Sequence, residues 1–301
     1  MMFAMEEQKK KKKTVSFSQF TNWWTCPHKW MRDYILHEKS FEDSIHMSFG
    51  TGIHEAIQLY LKTLYNVGEA EAEKIDVVST FIEAFKREIA KKSLQHTQAE
   101  FDEFVEDGKG ILAEFKEPCN RVRFFPKEKY ELLGIEQELN EGVVNNVNLT
   151  AKLDMVLREK ATGIIRIIDF KTATNAWTAS KKEDFTKTSQ LVLYKAVYSK
   201  KYNLPLNKIQ VEFFILRRKL YKNARFEQSR LQVFKPTSYE HDVMEVIQEF
   251  TKFVKQCFTP EGQHNTTGKF PKIPGKAKKN CKYCPYLKNK KCDGVADEVE
   301  F

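Results

Sequence analysis

Apolar positions recur at helical spacing in the first third of the chain and at strand spacing in the middle. Ser16 and Ser18 offer N-caps to a segment carrying Phe17, Phe20, Trp23 and Trp24, which predicts a helix interrupted at Pro27 and resumed by Trp30, Met31 and Tyr34. Gly50 and Gly52 precede a second predicted helix, whose core stripe is Ile53, Ile57, Tyr60, Leu61 and Leu64. From about residue 70 to 118 the pattern stays helical and highly charged, with Phe81, Ile82, Phe85 and Ile89 on one face, as in a helical insertion or cap. After Pro126 the texture changes. Residues 130–139, 143–157 and 164–170 read as strands, separated by turn signals at Glu141, Gly142 and at Ala161, Thr162, Gly163. A helix over 187–200, a strand over 209–216, a basic strand pair around 217–234 and a helix over 239–258 complete the pattern before a tail rich in glycine, proline and lysine. Strands in a central block with helices on either side indicate the α/β (α+β) class.

The chain has 301 residues, 41% hydrophobic and 30% charged, enough for a sizeable buried core, which excludes disorder of the whole. No apolar stretch approaches the roughly 20 residues needed to cross a bilayer, and the start lacks the order of regions in a signal peptide. A soluble, cytoplasmic protein without membrane contact is expected. The net charge of +9 is concentrated: Lys9 to Lys13 supply five charges, and residues 271–292 contain eight lysines and no acid. Without these thirteen the rest of the chain is net acidic, so the basic charge suits contact with a polyanion.

Six cysteines without a secretion signal point to ligands or buried thiols rather than disulfides. Cys281, Cys284 and Cys292 form a CxxCx7C cluster in the lysine-rich tail, and Cys26 lies far upstream in TCPHKW. Four thiolates suit a structural Zn²⁺ or a [4Fe-4S] cluster, and spacing alone fits both. Cys119 and Cys257 stand apart and read as idle or buried thiols.

The most informative stretch is LTAKLDMVLREKATGIIRIIDFKT, residues 149–172. Alternation places Ile165, Ile167, Asp169 and Lys171 on one strand face. A hairpin pairing Leu157 with Ile164 sets Asp154 opposite Ile167 and diagonal to Asp169, with both aspartates on the same face, about 7–8 Å apart. Two converging carboxylates repel unless a cation sits between them, and oxygen ligands favour Mg²⁺ or Mn²⁺. Lys171 is then placed to orient or activate water and to stabilise charge on a phosphate. Glu136 reads as a solvated strand face with a possible place at the same site.

In order and spacing, SFSQFTNWWTCPHKW, GTGIH, AKLD, IDFKT, QLVLY and CKYCPYLKNKKC resemble the PD-(D/E)XK nucleases over nearly the whole chain. The resemblance is to the RecB-like branch with a terminal iron–sulfur cluster, which includes the CRISPR adaptation exonucleases. It implies a restriction-endonuclease-like mixed sheet. It also implies that Asp154, Asp169 and Lys171 are the acidic and lysine motifs, His54 a metal ligand, and Gln190 with Tyr194 the QxxxY motif. Cys26, Cys281, Cys284 and Cys292 would hold the cluster, stapling the tail to the core. Ala151 departs from the glycine common in relatives, and Asp169 stands where many have glutamate; neither removes a ligand. On this basis residues 1–15 form a basic arm and 16–301 a single nuclease domain, with a helical part at 16–129, a core at 130–258 and a cysteine tail at 259–301.

Tail lysines Lys278, Lys279 and Lys282, interleaved with Tyr283 and Tyr286, and a second basic segment with Arg217 and Arg218 are expected to contact DNA without reading sequence. The expected function is a metal-dependent DNA exonuclease, acting on ends and favouring single strands, with recombination, helicase or CRISPR adaptation proteins as possible partners. A non-catalytic iron–sulfur binding module is the alternative, and a zinc-stapled structural protein a third.

Overall fold

The computed structural model describes residues 12–38 and 43–297. Its elements run β1 (Lys13–Val15), α1 (Phe17–Thr25), α2 (Pro27–Tyr34), α3 (Ile45–Asn66), α4 (Glu69–Glu73), α5 (Val77–Lys91), α6 (Gln98–Lys116), α7 (Pro118–Phe124), β2 (Tyr130–Val144), β3 (Val147–Glu159) and β4 (Ile165–Ala173). They continue through α8 (Ala179–Lys182), α9 (Phe185–Tyr202), β5 (Ile209–Arg217), β6 (Leu231–Phe234), α10 (Glu240–Cys257) and α11 (Pro285–Lys288). Among the described residues no helix is long and apolar enough to cross a membrane.

Six strands form one mixed sheet in the order β1-β3-β4-β5-β6, with β2 also paired to β3. The β2–β3 turn is Asn145–Asn146, both in the left-handed region at φ 53° and 52°, as a tight two-residue hairpin turn requires. β4 and β5 pair in parallel from Ile165↔Ile209 to Ala173↔Arg217, and a parallel pair needs a crossover, here supplied by α8 and α9. The fold is thus the helix-flanked mixed α/β sheet expected of a restriction-endonuclease-like protein.

The contacts divide the chain into two compact units. One comprises residues 41–138 and 152–246. Its core is helical residues such as Phe49, Ile53, Phe81, Phe85 and Leu112 packed on the sheet face of Met155, Ile168, Phe170 and Phe214. α9 covers β4 and β5 as well. Gly50 and Gly52 do not precede α3, which starts at Ile45 and contains them. The glycines serve close approach: a Cβ at Gly52 would stand 3.1 Å from the Phe81 ring and one at Gly50 3.0 Å from Thr172 Oγ1.

The other unit comprises the described residues within 1–40, 139–151 and 247–301. Ser16 caps α1 by accepting from the Gln19 N–H, and Pro27, at the first position of α2, holds Cys26 extended between the two helices. Its core is aromatic: Phe20 meets Phe250 edge-on at 5.3 Å, and Trp30 stacks on Phe270 at 5.7 Å. The expected basic arm lies mostly on residues 1–11, outside the described residues, but Lys13–Val15 forms β1, parallel to Val147–Leu149, with Val15 buried. The expected basic strand pair is also reduced. Only β6 is a strand, and most of 218–230 is loop.

Candidate functional site

The β3–β4 hairpin sets the site. Leu157 pairs with Arg166 and Met155 with Ile168, a slip of two residues from the register expected. Gly163, at φ +69°, ends a four-residue loop in which its N–H donates to the Glu159 carbonyl, so the turn centre moves one residue along the chain. A slip of two preserves the face of every side chain. Continued by one pair, the observed register puts Asp154 directly opposite Asp169 rather than diagonal to it.

Asp154 Oδ2 accepts the Phe170 backbone N–H at 2.8 Å, and His54 Nδ1 from α3 lies 3.7 Å from the same oxygen. Asp169 is buried. Its Oδ1 accepts from Gln190 Nε2 at 3.2 Å, and its Oδ2 lies 2.7 Å from Lys171 Nζ without a well-directed hydrogen bond. Gln190 also donates to the Tyr194 hydroxyl at 3.2 Å, so α9 fixes Asp169 through the predicted QxxxY pair.

Burial, then the Asp169 charge, pushes the Asp154 carboxyl well above its usual range. Burial lowers the His54 imidazole, favouring the neutral form with a lone pair to give, and raises the Tyr194 phenol, which remains an O–H. The Glu136 charge adds to the Asp154 shift and opposes the His54 one. Glu136 is exposed, as a solvated strand face would be, but its φ of +51° makes an irregularity inside β2, and Gln58 Nε2 of α3 donates to Glu136 Oε1 at 2.6 Å. Gln58 escaped the sequence reading although it lies one turn beyond His54; Gly134 was the available signal for the irregular strand.

Among the described residues no group of three or more His, Cys, Asp or Glu is set to hold a metal ion as it stands. The donor chemistry nevertheless fits a hard divalent cation: two carboxylates destabilising each other, one with an oxygen lacking a directed donor, beside a neutral imidazole. A cleft of about 550 Å³ opens here, lined by His46, His54, Lys171, Thr172, Thr174 and Arg218. A larger cavity, about 750 Å³, between Lys195, Ile209 and Tyr239 contains none of the predicted site residues.

Arg218, expected to contact DNA, lines the cleft beside His54 but is tied to protein partners. It is buried over the Phe104 ring at 3.5 Å, with Nη2 and Nε at 2.9 and 3.0 Å from buried Asp107 and Nη1 against His46 Nδ1 at 3.1 Å. Arg217 is also buried, donating to the Ser229 carbonyl at 2.8 Å. Both guanidiniums secure the end of β5, which the sequence alone could not distinguish from an exposed basic run. Lys278, Lys279 and Lys282 are exposed, with Lys282 Nζ 5.2 Å from the centre of the Tyr283 ring.

In the other unit, Cys26, Cys281, Cys284 and Cys292 line one cavity of about 20 Å³, and all four are free thiols. Their approach is fixed by the tail docking on α1 and α2. Asn280 Nδ2 donates to the Thr25 carbonyl at 2.9 Å, Arg32 Nη2 to the Lys291 carbonyl at 2.6 Å, and the Tyr286 hydroxyl to Asp33 at 2.6 Å. The Ile273 and Gly294 N–H groups point to the sulfurs of Cys26 and Cys292, both at 3.5 Å. Burial, then the three neighbouring cysteines, raises the Cys281 thiol. Cys119 is exposed and Cys257 buried.

A search of curated proteins returns no match to the chain. The sequence profile of the PD-(D/E)XK nuclease superfamily matches residues 14–288, nearly the full length and both units. Together with the mixed sheet and with Asp154 in mid-β3 facing Asp169 and Lys171 in the second half of β4, this match places the chain in the PD-(D/E)XK nuclease superfamily.

Proposed function

We propose that the protein is a metal-dependent DNA exonuclease of the RecB-like branch, hydrolysing phosphodiester bonds from DNA ends. The observation that carries this reading is Asp154 set opposite Asp169 with Lys171 at 2.7 Å, two like charges brought together on one sheet face beside a cation. Asp154, Asp169 and His54 would hold Mg²⁺ or Mn²⁺, which supplies Lewis-acid stabilisation of charge on the phosphate. Lys171 directs its ammonium toward the phosphate oxygens and the attacking water. Gln190 and the protonated Tyr194 keep Asp169 in place. Lys278, Lys279 and Lys282 contribute sequence-independent phosphate contacts.

The four cysteines would hold a [4Fe-4S] cluster with a structural role. Support comes from four free thiols lining one cavity and two N–H groups aimed at sulfur. Protein purified without oxygen should be brown and contain iron and sulfide; colourless protein with one zinc per chain would replace the cluster while sparing the nuclease reading.

Incubation with end-labelled single and double strands, with and without Mg²⁺ or Mn²⁺, tests the activity. Metal-dependent loss of label in single-nucleotide or short products from ends is expected. Internal cuts on closed circles would make the enzyme an endonuclease, and binding without cleavage would favour the alternative of a non-catalytic module.

A further inference from the structure

β5 leaves the sheet beside Lys171 and Thr172, which pair with Ile215 and Leu216. Backbone pairing runs on for two more residues, as Arg218 and Lys219 N–H groups donate to the Ala173 and Thr174 carbonyls at 2.8 and 2.9 Å. The chain then forms a loop before β6, and this loop is braced at its base. Gln228 receives the Tyr221 N–H on Oε1 at 3.0 Å and donates Nε2 to the Tyr221 carbonyl at 2.8 Å. The Arg230 N–H donates to both oxygens of Glu114, at 3.0 and 2.9 Å.

Above that base the loop exposes large aromatic surface. Phe226 is 85% and Tyr221 64% exposed. Lys222 and Arg225 are exposed as well, and among the described residues neither has an ion-pair partner; Glu227 is the one acid in the tip. Exposed rings on a clamped turn carry a desolvation benefit still to be realised, and the cations around them favour a polyanion over an apolar protein surface. An unpaired base satisfies both, because its face stacks on a ring while its phosphate meets Lys222 or Arg225. Paired bases in a duplex keep their faces covered.

We propose that the 220–227 loop is a stacking grip for unpaired bases, which makes single-stranded DNA the preferred substrate of the cleft it borders. This inference rests on the nuclease reading above. The test is equilibrium binding, in EDTA to prevent cleavage, of a 20-nucleotide single strand carrying a central 2-aminopurine and of the same sequence as a blunt duplex. The Tyr221→Ala/Phe226→Ala protein should bind the single strand at least about 10-fold more weakly and lose 2-aminopurine quenching, with duplex affinity changed less than about 2-fold. Phe226→Tyr should retain the quenching, and an unchanged melting temperature will show that the double variant is folded. Equal loss on both substrates, or no loss on either, would overturn the grip. If wild-type protein bound neither substrate in EDTA or with Ca²⁺ in its place, and cleaved neither with Mg²⁺ or Mn²⁺, the nuclease reading itself would fall, and the loop proposal with it.

Discussion

Asp154 and Asp169 meet through two adjacent strands, whereas the cysteines of the other unit meet through a fold-back that bonds Thr25 to Asn280, 255 residues further along the chain. The first site is held by a backbone ladder, across which its two carboxylates repel each other. The second is held by side-chain hydrogen bonds and loop contacts, and its four thiols are the residues that would gain most from an added bond. Losing a carboxylate should therefore remove function and spare the fold, while losing a thiol should weaken the fold first.

Asp154 gives the clearest case. Its pKa is raised on folding, so the folded state binds its proton more tightly than the unfolded state, and stability is fully present below the ordinary carboxylate pKa and lost as pH rises through the elevated one. Asp154→Asn removes that loss and can still accept the Phe170 N–H. It should cut cleavage by at least about 10³-fold and raise the melting temperature at pH 8, with little change at pH 4, as calorimetry at the two values would show. A drop in melting temperature at pH 8 would mean that the carboxylate supports the fold.

Arg218→Ala leaves the Asp107 carboxylate buried beside Lys219 alone, and breaking a buried pair costs about 3–5 kcal/mol. Denaturant unfolding should show a loss of that size. A variant that unfolds normally but binds DNA with a flatter salt dependence would restore the expected phosphate contact.

Cys26→Ala or Cys284→Ala should lower the melting temperature by several degrees and release bound iron, while Cys119→Ala changes neither. Equal effects at all three positions would break the contrast between the sites. Smallest is the change expected from Lys278, Lys279 and Lys282 together altered to Gln: weaker DNA binding at every sequence and a salt slope flatter by about 2 on single strands, with turnover at saturation preserved.

Much of this was legible in the chain. The face shared by Asp169 and Lys171 follows from strand alternation, and Gln190 with Tyr194 from helical spacing. Hairpin register did not follow, because it depended on whether Gly163 or an earlier residue took the left-handed position of the turn. The protein partners of Arg217 and Arg218 did not follow either, for a related reason. The burial of both guanidiniums depends on Asp107 and Ser229, partners that no local pattern connects to them. The glycines before His54 looked like a helix start, whereas their neighbours Thr172 and Phe81 are distant in sequence.

The central claim, that Asp154 and Asp169 form the hydrolytic centre, is tested most directly by comparing wild-type and Asp169→Ala proteins on one end-labelled single strand with Mg²⁺ or Mn²⁺. Wild type should release label only with metal, and the variant should bind the strand with similar affinity yet release none. Metal-dependent release by a folded Asp169→Ala protein at the wild-type rate would contradict the assignment.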